Sequence, residues 1–186
     1  MEIFVIRHTQ VAVKNICYGQ TNVPLADTFA EEAAKYKNDL PDNFDAVFCS
    51  PSARCKELSK TLNYGNVIFE NAIIEMNFGD WEGKKWNDIE QAQLDVWMNN
   101  FVSEKPPNGE NLLELFERVK LFLDNLRQQK FDQVLLITHA GVIRCIWAYI
   151  LEIPLQNIFK LPVGHGEIFI CNLTDDKLPE SITRKK

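Results

Sequence analysis

Three stretches of this chain share one pattern: an apolar run of strand length that stops abruptly at a polar or ionisable residue. They are "EIFVIRH" at 2–8, "FDAVFCS" at 44–50 and "DQVLLITH" at 132–139. A strand with one wet face alternates apolar and polar residues. An unbroken apolar run is instead buried on both faces, as in a sheet covered by helices on both sides. Helix-like segments follow each run, at 26–40, 52–64 and 141–153, and another covers 109–129. In the last of these Leu112, Leu115, Phe116, Val119, Phe122, Leu123 and Leu126 recur at i, i+3, i+4 and i+7, which is an ordinary core-facing stripe. Ser50 followed by Pro51 reads as the cap and first turn of the second helix, and 167–173 reads as a last strand. Strands alternating with helices predict an α/β fold, a three-layer α/β/α sandwich around a mostly parallel sheet.

A length of 186 residues with 46% hydrophobic content suits one domain over 1–186. A partly helical, cap-like excursion is expected at about 76–108, carrying Trp81, Trp86 and Trp97 and closed by Pro106-Pro107 and Asn108-Gly109. The tail "SITRKK" is expected to be solvated and mobile. A net charge of -6 argues against nucleic-acid or anionic-membrane partners. With no membrane-length apolar run and no cleavable leader pattern, the expectation is a soluble cytoplasmic protein. The five cysteines are odd in number and scattered, as reduced core thiols would be, and no Cys/His cluster suggests a metal. No metal or cofactor is expected, and the assembly is expected to be a monomer or homodimer.

Ligands of parallel α/β sheets gather beyond the carboxyl ends of the strands. Here those ends offer Arg7-His8, Ser50-Pro51 with Arg54 close behind, and Thr138-His139. One histidine at a strand end is more often structural than catalytic. Two of the chain's three, each at a separate strand end and with arginines nearby, form a convergent pattern. Arginine presents a planar fork of donors that grips phosphate oxygens two at a time, so the pair Arg7 and Arg54 implies a phosphate. A histidine there can attack phosphorus through one ring nitrogen while a backbone acceptor holds the other. A second, kept protonated by the bound anion, can stabilise charge on the transferring group, and the partner implied is a small phosphorylated substrate. The leaving alkoxide needs an acid, and Glu75, after a short apolar segment and before a glycine-containing turn, is the candidate. Asp80 and Glu82 read as ordinary solvated acids.

The motifs "RHT" (7–9), "CSPSARCKELSKTL" (49–62), "EMNFGDWEG" (75–83), "GENLLELFERV" (109–119) and "THAGVIR" (138–144) occur in one order along most of the chain. Together they resemble the histidine phosphatase superfamily, with its phosphoglycerate mutase-like fold. The resemblance implies His8 as nucleophile, Arg7 and Arg54 as phosphate clamps, His139 as the second pocket histidine and Glu75 as proton donor. The backbone N–H of Ala140, at a helix start, is a further phosphate contact. Thr9 stands where the family usually has Gly, and Gln10 where Glu is common, which turns the expectation away from the mutases. With "ICYGQTNVPL" (16–25) the chain is similar to the α-ribazole phosphatase branch, which removes a 5'-phosphate late in cobalamin synthesis. Asn15, Tyr18 and Gln20 are then candidates for contacts to substrate, while Cys17 belongs either to the pocket wall or to a structural loop. Glu110, at a helix opening, is expected to border the site, and His165, between Gly164 and Gly166, to be structural.

Other readings remain. A broad sugar-phosphate phosphatase or a mutase would share the chemistry, and a non-catalytic phosphate-binding regulator would share the pocket. "CSPSAR" resembles the loop of a cysteine-dependent phosphatase, but its arginine comes one residue early.

Overall fold

The computed structural model describes residues 1–174 and 180–185. The strands are β1 (Glu2–Arg7), β2 (Ala46–Cys49), β3 (Val67–Phe69), β4 (Gln133–Thr138), β5 (Ile168–Asn172) and β6 (Ser181–Lys185). The helices are α1 (Phe29–Asp39), α2 (Ala53–Leu62), α3 (Gln91–Asn100), α4 (Leu112–Arg127) and α5 (Ala140–Ile150). One six-stranded sheet runs β3-β2-β4-β1-β5-β6, with β1 to β4 parallel, β5 antiparallel to β1, and β6 antiparallel to β5.

The unbroken apolar runs arise because both faces of the central strands are covered. Ile3 and Val5 of β1, with Val134 and Leu136 of β4, pack on the side of α4 and α5. Phe4 and Ile6, with Leu135 and Ile137, pack on the side of α1 and α2. Each such aliphatic side chain taken out of water stabilises the fold by about 1.5–3 kcal/mol, before the opposing entropy of ordering the chain. The layered α/β/α architecture and mostly parallel sheet agree with the sequence pattern. The stripe on α4 faces the core as expected, with Phe116 half-buried and the other six residues buried. Its start is set by a capping box: Asn111 accepts from the Glu114 N–H and Glu114 accepts from the Asn111 N–H.

Three local expectations are corrected. Ser50 does not cap α2, which begins at Ala53 after Ser52; its hydroxyl is engaged with His139 instead. Glu110 does not open α4 but lies before it, paired with Arg118 and accepting from the Asn77 N–H. The tail is not loose: residues 181–185 form β6, because β5 would otherwise be an open edge and its backbone groups need partners. Lys186 of that tail lies outside the described residues.

The excursion contains α3 and two short 3-10 turns, Gly79–Trp81 and Trp86–Asp88. A satellite core of Cys17, Trp81 and Ile89 holds it, with Trp97 edge-on to Trp81 at 5.8 Å between ring centroids. Cys17 is therefore structural. No helix among the described residues is long and apolar enough to cross a membrane.

Candidate active site

Strand order and register bring the three ends together. β4 lies between β2 and β1, Arg7 pairs with Thr138, and Cys49 pairs with Ile137. The next residues, His8, His139 and Ser50, consequently emerge side by side. The His8 N–H donates to Thr138 O at 2.9 Å and the Ser50 N–H to Ile137 O at 2.9 Å, carrying the ladder one residue into the site.

His8 is buried and its ring centroid is 5.2 Å from that of His139. Its Nδ1 lies 2.6 Å from Thr9 O, and a carbonyl can only accept, so Nδ1 carries the proton and Nε2 keeps its lone pair. Burial, then the positive charge of Arg54, holds this imidazole well below its usual pKa range, as an unprotonated nucleophile requires.

His139 is fixed at both nitrogens. Arg54 Nη2 donates to Nδ1 at 3.1 Å, which leaves the proton on Nε2 to be donated to Ser50 Oγ at 2.7 Å. Ser50 Oγ passes the chain on to Ser52 Oγ at 3.2 Å. His139 is likewise held neutral, by burial and then by Arg54.

Arg54, from the first turn of α2, is 1% exposed. It donates to Gly19 O at 2.6 Å and Thr21 O at 3.2 Å, and its guanidinium lies over the Tyr18 ring, 5.1 Å from the centroid. Its Nε is buried without a partner. Arg7 donates to Val163 O at 3.0 Å, and its Nε is also unpartnered. Among the described residues neither guanidinium is paired with a carboxylate. Buried charge normally has a counter-ion, so this pocket is built for an anion that comes from solution.

Glu75, from the segment after β3, is bound to the start of the helix that follows His139. Its carboxylate accepts from the Met76 N–H at 3.0 Å and from the Gly141 N–H, in the first turn of α5, at 3.2 Å. A Cβ at position 141 would overlap Glu75 Oε1, so glycine there lets the carboxylate close on the helix start, beside Ala140. Arg118 and Gln20 Nε2 both bind Glu75 O, at 3.2 and 3.0 Å, and Arg118 is in turn held by Glu110. Gln20 and Tyr18 thus contact site residues. Asn15 does not: it is an exposed residue in a left-handed turn, φ 58°, linked through its carbonyl to the Trp86 N–H.

One further correction concerns an acid. Glu82 is no solvated acid; it accepts from the backbone N–H groups of Gln20 at 2.9 Å, Thr21 at 2.6 Å and Phe78 at 3.1 Å, tying the 19–21 loop to the excursion. His165, expected to be structural, stands beside the site, its ring centroid 5.7 Å from that of His8. The cause is the direction of β5. An antiparallel strand starts at the end of the sheet where parallel strands finish, which puts the preceding turn over the site. That turn is secured by Tyr36, whose hydroxyl donates to Arg7 O and accepts from the Gly166 N–H, at 2.9 Å each. Burial, then Arg7, lowers the His165 pKa to about 4. Cys49, the nucleophile of the rival cysteine reading, is fully buried with its thiol pushed up to about 12 by burial, which is the wrong direction for a thiolate.

The model of the histidine phosphatase superfamily (branch 1) matches residues 3–181, and the chain belongs to that superfamily of phosphatases. Among relatives, the adenosylcobalamin/alpha-ribazole phosphatase of Escherichia coli K12 is 27% identical over 89% of this chain and 87% of its own. Phosphoserine phosphatase 1 of Hydrogenobacter thermophilus is 26% identical over 72% of this chain and 67% of its own. The crystal structure of the alpha-ribazole phosphatase from Shigella flexneri superposes with a TM-score of 0.87 at 26% identity, covering 94% of this chain and 91% of that one.

Proposed function

We propose that this phosphatase hydrolyses phosphomonoesters through a phosphohistidine on His8, with α-ribazole 5'-phosphate as its substrate. The observation that carries the chemistry is the pair of guanidiniums without carboxylate partners around a histidine whose Nε2 lone pair is free. Arg7 and Arg54 grip the phosphoryl oxygens, joined by the Ala140 N–H at the start of α5. His8 Nε2 attacks phosphorus as the ester P–O bond breaks, and the Glu75 carboxyl gives its proton to the departing alkoxide. His139, protonated once the dianion is bound, stabilises charge on the phosphoryl oxygens. Water then attacks phosphorus, Glu75 takes its proton, the P–N bond breaks, and phosphate leaves. The cationic side chains compensate the charge that magnesium compensates in other phosphoryl transfers.

The substrate assignment draws on the alpha-ribazole phosphatase relatives in Escherichia coli and Shigella flexneri. The phosphoserine phosphatase relative favours a second reading, hydrolysis of a small amino-acid phosphate. One panel separates them: metal-independent phosphate release from α-ribazole 5'-phosphate, with kcat/KM well above those for phosphoserine, 3-phosphoglycerate and p-nitrophenyl phosphate. Equal rates on all four sink the specific assignment. Acid quenching followed by peptide mapping traps a labile phosphoryl group on His8; label on a cysteine or serine would refute the mechanism.

A further inference from the structure

His8 has two imidazole neighbours that stand in nearly the same relation to it. The ring centroid of His139 lies 5.2 Å away with the planes at 59°, and that of His165 lies 5.7 Å away with the planes at 61°. Their hydrogen bonding differs. His139 has committed both nitrogens, Nδ1 to Arg54 and Nε2 to Ser50. His165 has committed neither: its Nε2 is sealed from solvent without a partner, and its Nδ1, which is not sealed, has no partner among the described residues either.

The turn that carries His165 is fixed in place. Arg7 donates to Val163 O, the Gly166 N–H donates to the Tyr36 hydroxyl, and that hydroxyl holds Arg7 O. All three bonds tie the turn to the strand end that bears Arg7 and His8, while the Gly164 N–H closes the turn on the Glu167 carboxylate. Two carboxylates come near the ring, and both are engaged elsewhere. Glu32 of α1 accepts from the Gln10 N–H and the Thr28 hydroxyl, and Glu167 pairs with Arg184 of β6. A ring needed only for packing would bury no nitrogen, whereas a half-buried imidazole with both nitrogens unbonded forgoes the bonds such groups ordinarily make. Beside Arg7 and His8, the missing partner is an oxygen of the bound phosphoryl group.

Only one nitrogen can serve. The sealed Nε2 has no surface to offer a ligand, and Nδ1 does. Burial, then Arg7, keeps the ring neutral, so it carries a single N–H. With the proton on Nδ1, the sealed nitrogen keeps a lone pair in the positive field of Arg7. With the proton on Nε2, an N–H without an acceptor would be buried in that same field.

We infer that His165 is a phosphate-binding residue that donates its Nδ1–H, as a neutral imidazole, to a phosphoryl oxygen. It joins the two guanidiniums and the Ala140 N–H, and unlike His139 it takes up no proton to do so. This rests on the reading of the pocket as a phosphate site, and deepens it by adding a contact from the turn before β5.

The test uses inorganic phosphate as the probe at about pH 7.5, well above the pKa of the ring. In protein carrying isotope-labelled histidine, nuclear magnetic resonance shows a protonated Nδ1 and an unprotonated Nε2 on His165 with and without phosphate, and saturation moves the Nδ1 resonance. By calorimetry, the Kd for phosphate rises about tenfold in His165→Leu, which has no donor, and by no more than about threefold in His165→Gln, which keeps an N–H. A ring protonated on Nε2, an Nδ1 resonance unmoved at saturation, or a leucine variant that binds phosphate as its parent does, overturns the inference and leaves the phosphate pocket intact. If the unaltered protein binds no phosphate, the pocket reading fails and the inference falls with it. The resonances are read on the unaltered protein, so the result does not depend on how either variant folds.

Discussion

The two pocket histidines differ less in surroundings than in which nitrogen is occupied. Thr9 O takes the Nδ1 proton of His8, whereas Ser50 takes the Nε2 proton of His139 and Arg54 points its own donor at Nδ1. Ser50 therefore orients His139, the second histidine of the proposed mechanism, without needing to touch substrate. Ser50→Ala should lower kcat about five- to tenfold, the value of one hydrogen bond near 1 kcal/mol, with a smaller change in KM. The phosphoenzyme should still form, because His8 is untouched; an unaltered kcat in steady-state assays would remove Ser50 from this role. A serine before proline has the same local signature whether it caps a helix or buffers an imidazole, and only the neighbouring strand end tells the two apart. His8, His139, Arg7 and Arg54 were legible for the opposite reason, since each interrupts or closely follows an apolar run.

At the level of elements, the first turn of α5 does two jobs, presenting the Ala140 and Gly141 amides and making room for Glu75. Gly141→Ala separates them. Alanine is a better helix former than glycine, by less in a first turn than the roughly 1 kcal/mol of a helix interior, so thermal stability should change little. The new methyl would meet the mobile end of Glu75, and the displaced carboxyl should cost about a hundredfold in kcat. A calorimetric melt beside a kinetic assay checks both halves, and a variant as active as its parent contradicts the placement of Glu75. Hydrophobic pattern announced the parallel core of the sheet, yet it carries no sign for strand direction. That is why His165, delivered by antiparallel β5, was not legible as a site residue. β6 escaped for a related reason: an edge strand with only Ile182 half-buried looks, in sequence, like any polar tail.

Across the whole molecule, folding is linked to pH through the same histidines. His8, His139 and His165 all have native pKa values below those of the unfolded chain. The unfolded state therefore binds protons that the native pocket refuses, and stability present above about pH 6.5 is lost as pH falls, by about 1.4 kcal/mol per unit for each histidine. Asp45, Glu114 and Asp124, whose carboxyls are held below their ordinary range, add a separate loss only below about pH 4. Melts between pH 7 and 5 should show a falling Tm, and a flat profile would contradict the neutral pocket. The guanidiniums of Arg7 and Arg54, without a carboxylate partner among the described residues, have a consequence of their own. Although the chain carries a net charge of -6, the centre of its sheet end is a fixed positive well. Inorganic phosphate, sulfate or vanadate at a hundred times its Kd should raise stability by about 2.7 kcal/mol. The reaction's own product is one of these ions. On the proposed mechanism every turnover thus leaves behind an ion that steadies the folded chain, so that release of phosphate is the step on which speed and stability pull in opposite directions.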